Sequence, residues 1–343
     1  MSLIHTLRIS QVEDWGDADG DDWRSRVLQL ASGPMDATAR IIDLDGVHLH
    51  WNRIGARAMF RDVYVGPQLI FGFPIAAPEP VLYRGRAFEP RTVAVWGSHL
   101  EQMHEYICPS GTRSLLVAVD TDLADLLGWE VSEPLGRTGR NPGLQRLIQT
   151  CRRATRAAER SSGADMAPWR EQILDDLEAA LGPAVLAPST ADLSQADSKS
   201  FRLVRQFEGL FATPTAEAMA TADSVAAHLG VSRRSLFKAF RQWPGMAPAR
   251  YLRLIRLHQL RASLIGADPE QDTVTHLSSA HGFTQFGRLA ATYRATFGEL
   301  PSQTLRRARP GYKGAGRRPS LHRGRPQALA APFRDTVATN DGW

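Results

Sequence analysis

Ser232, Arg233, Arg234, Ser235 and Lys238 fall within seven residues, and Arg241 follows closely. Further along, Gln285, Phe286, Arg288, Ala291 and Arg294 form a second group. These side chains offer hydrogen-bond donors, positive charge and small apolar contacts. On a narrow helix such residues fit a DNA major groove. There they read base edges through bidentate hydrogen bonds and methyl contacts. Arg233, Arg234, Lys238, Gln285 and Arg288 are the expected contacts to bases or adjacent phosphates. Arg241, Arg253, Arg256 and Arg294 are expected on phosphates, where contacts supply affinity without sequence information. A solvated helix face is the competing reading of each.

Both groups sit inside one repeated plan. Residues 282–301 read GFTQFGRLAATYRATFGELP, and residues 230–248 read GVSRRSLFKAFRQWPGMAP. Leu236 matches Leu289, Phe240 matches Tyr293, Gly245 matches Gly298 and Pro248 matches Pro301, each pair 53 residues apart. An internal repeat of this size marks a duplicated supersecondary unit. Each copy predicts a short helix, a turn and a longer helix. Val225 and Leu229 share a face, as do Val274 and Leu277. Gly230 and Gly282 stop the first helices, because a left-handed position costs glycine little. Ser232 and Thr284 are the expected caps of reading helices Ser232–Arg241 and Thr284–Ala295. This is a helix-turn-helix, twice, at 222–241 and 273–295.

Residues from about Phe201 to Arg307 resemble the DNA-binding domain of the AraC/XylS family of transcription regulators. VSRRSLFKAF and GFTQFGRLAATYRATFGELPSQTLR carry the resemblance. It implies two helix-turn-helix units held by one linking helix, here Ala247–Ile265, and reading two neighbouring major-groove segments of a promoter. The subtype is similar to the ethanolamine-utilisation-regulator-like subgroup, more loosely in the N-terminal part. Ser278 stands where the family favours alanine. Phe286 puts an aromatic ring in the second reading helix, where it suits thymine methyls better than hydrogen-bonded readout. The resemblance further implies a cupin-like sensing and dimerising N-terminal domain, a small-molecule effector, a homodimer and RNA polymerase as partner.

The charge is segregated. Residues 1–200 carry 20 basic and 27 acidic side chains, whereas residues 201–309 carry 15 and 7. A basic module beside an acidic one confines phosphate attraction to one part of the chain. Lysine occurs only at 199, 238 and 313, so arginine supplies nearly all the positive charge. Two cysteines, Cys108 and Cys151, without a CxxC argue against a disulfide scaffold or a zinc finger. No basic-then-apolar leader and no spanning apolar run is evident, so a cytoplasmic, nucleoid-associated protein is expected. No GxSxG, Walker loop, HExxH or dinucleotide fingerprint occurs in context. No enzyme activity and no cofactor are expected.

Before the repeat, the period is mostly two. The run from Ala37 to Gly55 alternates about Asp45-Gly46, a strong hairpin signal. Further strands are expected at Arg57–Val65, Gln68–Phe73, Thr92–Trp96, His104–Ile107 and Ser114–Val119. Six or seven such strands suggest a small barrel or roll. Trp23–Ala31 reads as helical. Trp51, Tyr64, Phe71, Phe73, Trp96 and Tyr106 are candidates to line a pocket or fill a core, and Arg53, Arg84 or Arg86 to meet an acidic effector. His48 and His50 share a strand face. With His99, His104, Glu101 and Glu105 they fit either a cupin metal site or a polar strand face. A metal-dependent cupin-type enzyme carrying a nucleic-acid-binding module is the alternative function.

Residues 122–181 turn helical, with apolar stripes at Leu144, Leu147, Ile148 and Cys151 and at Trp169, Ile173, Leu174, Leu177 and Leu181. That hairpin packs on the roll or on a second subunit. The fold class expected is α+β multidomain. It comprises a cupin-like β roll with a helical hairpin (1–181), a linker (182–199), an all-α DNA-binding domain (200–309) and a disordered basic tail (310–343).

Overall fold

The hairpin signal at Asp45-Gly46 is where the fold begins to be determined. In the computed structural model both residues take positive φ, 59° and 87°, as a two-residue turn matching strand twist requires. The structure describes residues 4–15, 22–88, 92–100, 103–131, 135–137, 142–160, 165–182, 197–211 and 221–308. The turn joins strands β3 (Ala37–Asp43) and β4 (Val47–Arg53). Before them come β1 (Ile4–Ile9) and β2 (Trp23–Gln29). After them come β5 (Ala58–Tyr64), β6 (Gln68–Ala76), β7 (Leu82–Tyr83), β8 (Arg86–Ala87) and β9 (Thr92–Trp96). β10 (His104–Cys108), β11 (Arg113–Asp120) and β12 (Leu135–Arg137) complete the set.

These strands form two antiparallel sheets, ordered β1-β3-β4-β11-β6-β9-β12 and β2-β5-β10-β7-β8. Alternation gives each strand of the larger sheet two sets of side chains. Val47, Leu49, Leu115, Val117, Leu69 and Phe71 form one buried cluster with Leu147, Cys151, Ile173 and Leu177. The latter lie on α2 (Gly143–Arg160) and α3 (Ala167–Leu181). The helical hairpin therefore covers one face of the seven-stranded sheet. The other face joins the smaller sheet, through Ile9, Ala37 and Ala39 against Ala58, Phe60 and Cys108. A further short helix, α1 (Thr121–Leu126), ends before Gly128, whose φ is 70°. Both cysteines are free and buried.

Two sequence expectations need correction. Trp23–Ala31 is mostly strand β2, not helix. Its inward side chains, Trp23, Ser25 and Gln29, alternate with arginines, and pairing with β5 satisfies its backbone. The roll also has more strands than the six or seven expected. The two-residue strands β7 and β8 and the three-residue β12 are too short for a period to show.

The C-terminal part is helical: α4 (Lys199–Leu210), α5 (Ala222–His228), α6 (Arg233–Gln242), α7 (Pro248–Gly266), α8 (Val274–Ala280), α9 (Phe286–Phe297) and α10 (Pro301–Arg306). Ser198 caps α4, accepting from the Phe201 amide. Ring pairs Phe207–Phe240 at 4.7 Å, Phe240–Tyr251 at 5.6 Å and Phe201–Trp243 at 5.5 Å tie α4, α6 and α7 together. The chain divides into two compact units, Met1–Asp197 with Gly287–Gln303, and Ser198–Phe286 with Thr304–Trp343. Most of the expected linker, 183–196, and the expected tail, 310–343, lie outside the described residues. No described helix is long and apolar enough to cross a membrane.

Candidate nucleic-acid interface

In the first copy of the repeat, the turn is built from local chemistry. Thr221 and Ser224 form a reciprocal capping box at the start of α5. Gly230 takes φ 66°, which ends that helix without strain. Ser232 then caps α6, its hydroxyl accepting from the Ser235 amide at 3.1 Å. The Ser235 hydroxyl is bonded to that of Ser232 at 2.9 Å, so both serines shape the helix start. Leu236 and Phe240 are fully buried. The opposite face is thereby fixed, and Arg233, Arg234, Lys238 and Arg241 are exposed on it. Arg233 reaches Asp223 at 3.2 Å and lies over the Phe237 ring. Exposed pairs of this kind contribute little.

The second copy follows the same logic. Thr273 caps α8 by accepting from the His276 amide. Gly282 takes φ 76°, and a side chain there would meet the Arg256 guanidinium at 3.6 Å. Arg256 is half-buried, whereas Arg253 on the same helix is exposed. His281 bonds Ser263 at 2.9 Å. Burial, with Arg256 nearby, pushes its pKa down to about 4. α9 starts at Phe286, two residues later than expected, so Thr284 precedes its first turn. Leu289, Tyr293 and Phe297 are buried, and Gln285, Phe286, Arg288, Ala291 and Arg294 are exposed. All eleven sequence-predicted contact residues thus lie on solvent-facing positions of the two turn-and-helix segments.

One contact on α9 carried no sequence signal. The carbonyls of its last turn lack intrahelical partners. Ala295 O accepts from the Gly33 amide at 2.9 Å, and Thr296 O accepts from Gln29 Nε2 at 3.0 Å. Gln29 is 1% exposed and also donates to Ala31 O and Gly33 O. The second reading helix is therefore held at its C-terminal end by the loop after β2.

Between the sheets of the roll lies a cavity of about 120 Å³. Phe73, Trp96 and Tyr106 line it, as expected, together with Trp23, Phe60 and Tyr83. Phe71 belongs instead to the core under the helical hairpin, and the half-buried Trp51 packs against that core, its Nε1 donating to Thr155 at 2.9 Å. Tyr64 packs with Trp23 and Trp96. Arg53 pairs with Asp36, Arg84 with Asp197, and Arg86 is exposed. None of the three lines the cavity.

The histidines do not assemble. His48 sits between Asp43 and Asp120, His50 lines the cavity, and His99 bonds Val131 O. His104 lies on the other sheet and stacks on Trp96. Glu105 is held by Arg61 at 2.8 Å, and Glu101 is outside the described residues. Among the described residues no three His, Cys, Asp or Glu side chains form a metal-binding group. The alternative of a metal-dependent enzyme gains no support from this arrangement.

Residues 225–307 match the family model described as a helix-turn-helix domain. A probable thc operon regulatory protein of Rhodococcus erythropolis is 42% identical over 86 residues, 25% of this chain and 26% of its own. A XylDLEGF operon transcriptional activator of Pseudomonas putida is 43% identical over 77 residues, 22% of this chain and 23% of its own. This chain thus spans about a quarter of the length of these relatives. Among solved structures, the AraC-like transcriptional activator CuxR aligns over 76% of this chain and 96% of its own, at 16% identity and a TM-score of 0.40. Residues 225–307 of this chain are therefore a helix-turn-helix domain, similar in sequence to the matching segments of these operon regulators.

Proposed function

We propose that this protein is an effector-responsive transcription regulator that reads promoter DNA with two helix-turn-helix units. One observation carries the reading. Two copies of a single plan bury the same inward pair and expose polar and basic side chains on the other face of each second helix. The basic charge of residues 201–309 supports it, since phosphate contacts supply most of the affinity of such modules. α6 and α9 enter successive major grooves, about 34 Å apart if one face of the duplex is used. Arg233, Arg234, Lys238, Gln285 and Arg288 touch bases or the phosphates beside them, and Ser232, Ser235, Phe286 and Ala291 shape the fit. Arg241, Arg253, Arg256 and Arg294 hold phosphates.

The β roll, residues 1–181, senses a small molecule, and residues 182–199 link it to the reading module at 200–309. β2 lines the cavity at Trp23 and holds α9 through Gln29, which supports a route from an occupied cavity to the second reading helix. The protein acts as a cytoplasmic homodimer and activates transcription through RNA polymerase.

Selection of bound fragments from the source genome, with the full-length protein at physiological salt, tests this reading. Enrichment of a bipartite sequence with halves one helical turn apart is the expected result. Recovery of fragments without any shared sequence, with affinity falling steeply in salt, would replace it by a non-specific DNA binder.

A further inference from the structure

The cavity in the roll has a size, a wall and one buried carboxyl group, and together these define a chemistry. Its volume, about 120 Å³, is close to that of engineered cavities that stay dry and admit a single benzene ring. Its walls are aromatic. The Phe60 and Tyr106 rings stack at 5.2 Å, and Trp23 meets Trp96 edge-on at 5.8 Å. Trp96 lies flat because position 72 is glycine, where any side chain would start 2.5 Å from its ring.

Into this aromatic space the smaller sheet sets a carboxylate. Asp62 lines the cavity and is 3% exposed. One oxygen accepts from the Tyr106 hydroxyl at 2.6 Å. The other, Oδ1, is buried and meets no donor at full hydrogen-bond geometry among the described residues, with the Ser25 hydroxyl across the strand pair as its nearest donor. Burial raises the Asp62 pKa to about 6, which the Tyr106 and Ser25 hydroxyls oppose. A buried acceptor left unmatched is costly, and a charged one more so. Among the described residues no lysine or arginine lines the cavity to compensate it. His50 lines it too, but burial pushes its pKa down to about 4, so it is neutral near pH 7. An anionic ligand would face a carboxylate without a cation. A cationic donor would gain both a charge-assisted hydrogen bond and the ring faces.

From this geometry we infer that the cavity binds a single-ring aromatic amine, its ammonium on Asp62 Oδ1 and its ring between Trp96 and Phe60. This rests on the reading of the roll as the effector domain and adds the effector's chemical class.

The test uses the full-length protein, titrated by calorimetry with benzylamine, benzyl alcohol and benzoate, probes of one ring size and different charge. Benzylamine is expected to bind at one site per chain, at least about tenfold tighter than benzoate, the scale of one hydrogen bond to a charged group. Asp62→Asn should erase most of that advantage while leaving benzyl alcohol binding unchanged. Benzoate binding as tightly as benzylamine, or benzylamine affinity indifferent to Asp62→Asn, overturns the assignment. So does the absence of binding by benzylamine. The wild-type comparison decides even where the variant folds poorly. The effector reading fails separately: benzylamine bound at Asp62 that leaves affinity for a selected promoter fragment unchanged keeps the ligand class and removes the regulatory role.

Discussion

The two reading helices share an inside and differ on the outside. α6 buries Leu236 and Phe240, and α9 buries Leu289 and Tyr293, all at 1% exposure or less. Outside, α6 presents Arg233, Arg234, Lys238 and Arg241, four cations in nine residues. α9 presents two, Arg288 and Arg294, with the Ala291 methyl between them, the Phe286 ring at its start and the Gln285 carboxamide just before it. Packing places the same demand on both copies, and each meets it with a leucine and an aromatic ring four residues apart. Packing places no such demand on the outward faces, and these differ. α6 is weighted toward charge, and hence toward affinity for any phosphate backbone. α9 is weighted toward side chains that distinguish bases. The turns differ as well: Leu229 precedes the first glycine and His281 the second.

The largest effect should come from breaking what the copies share. Phe240→Ala and Tyr293→Ala each remove a fully buried aromatic side chain. Each should cost about 3–5 kcal/mol, read as a lowered urea midpoint of the full chain. If the copies are packed equally well, the losses should agree within about 1 kcal/mol. A small loss at only one site would show that its helix is not held by its own core.

The turns should separate under acid. His281 has its pKa lowered from 6.5 to about 4. Above pH 6.5 it is neutral folded and unfolded, and contributes no pH dependence. Between 6.5 and 4 the unfolded chain takes up the proton and the folded chain does not. Stability is therefore lost as pH falls through that window, by about 3 kcal/mol at its lower end. The first turn carries Leu229 at the matching position. His281→Leu should flatten the acid limb relative to wild type, with His50 and His104 cancelling in the difference. Identical limbs would mean that the site relaxes around the charge.

The outer faces should separate in DNA binding. Arg288→Ala should lose about 1–3 kcal/mol and relax preference at one base position. Lys238→Ala should weaken all sequences alike and lower the salt slope by about one. Uniform weakening from Arg288→Ala would move that residue to the phosphates. A base-specific loss from Lys238→Ala would reverse the assignment between helices.

What could be read from the sequence follows the same division between local and long-range causes. The Asp45-Gly46 hairpin, the Ser232 cap and both positive-φ glycines are decided within a few residues, and the residues display them. Trp51 and Phe71 are legible as aromatics that pack inside the roll, but not which face they serve. That depends on the side of the sheet the α2–α3 hairpin covers. β2 does not show as a strand in the sequence because its inward face carries Ser25 and Gln29, whose polarity hides a strand's alternation. The partners of Gln29 are carbonyls at Ala31, Gly33 and Thr296. No local pattern can announce an acceptor that lies 267 residues away.

Gln29 also gives the smallest effect and the finest test of how the reading helices differ. Only α9 has last-turn carbonyls taken up by the loop after β2. Gln29→Ala removes the donor to Ala31 O, Gly33 O and Thr296 O and leaves Gly33 bonded to Ala295 O. Each neutral hydrogen bond lost is worth about 0.5–1.5 kcal/mol net, so the chain should stay folded with a lower melting temperature. Its DNA binding should change only where α9 reads. Protection from chemical cleavage should weaken or strengthen over the half-site assigned to α9 and stay constant over that of α6. A matching change over both half-sites would mean that Gln29 acts on the fold as a whole. No change over either would mean that the contact holds α9 without setting how it meets DNA.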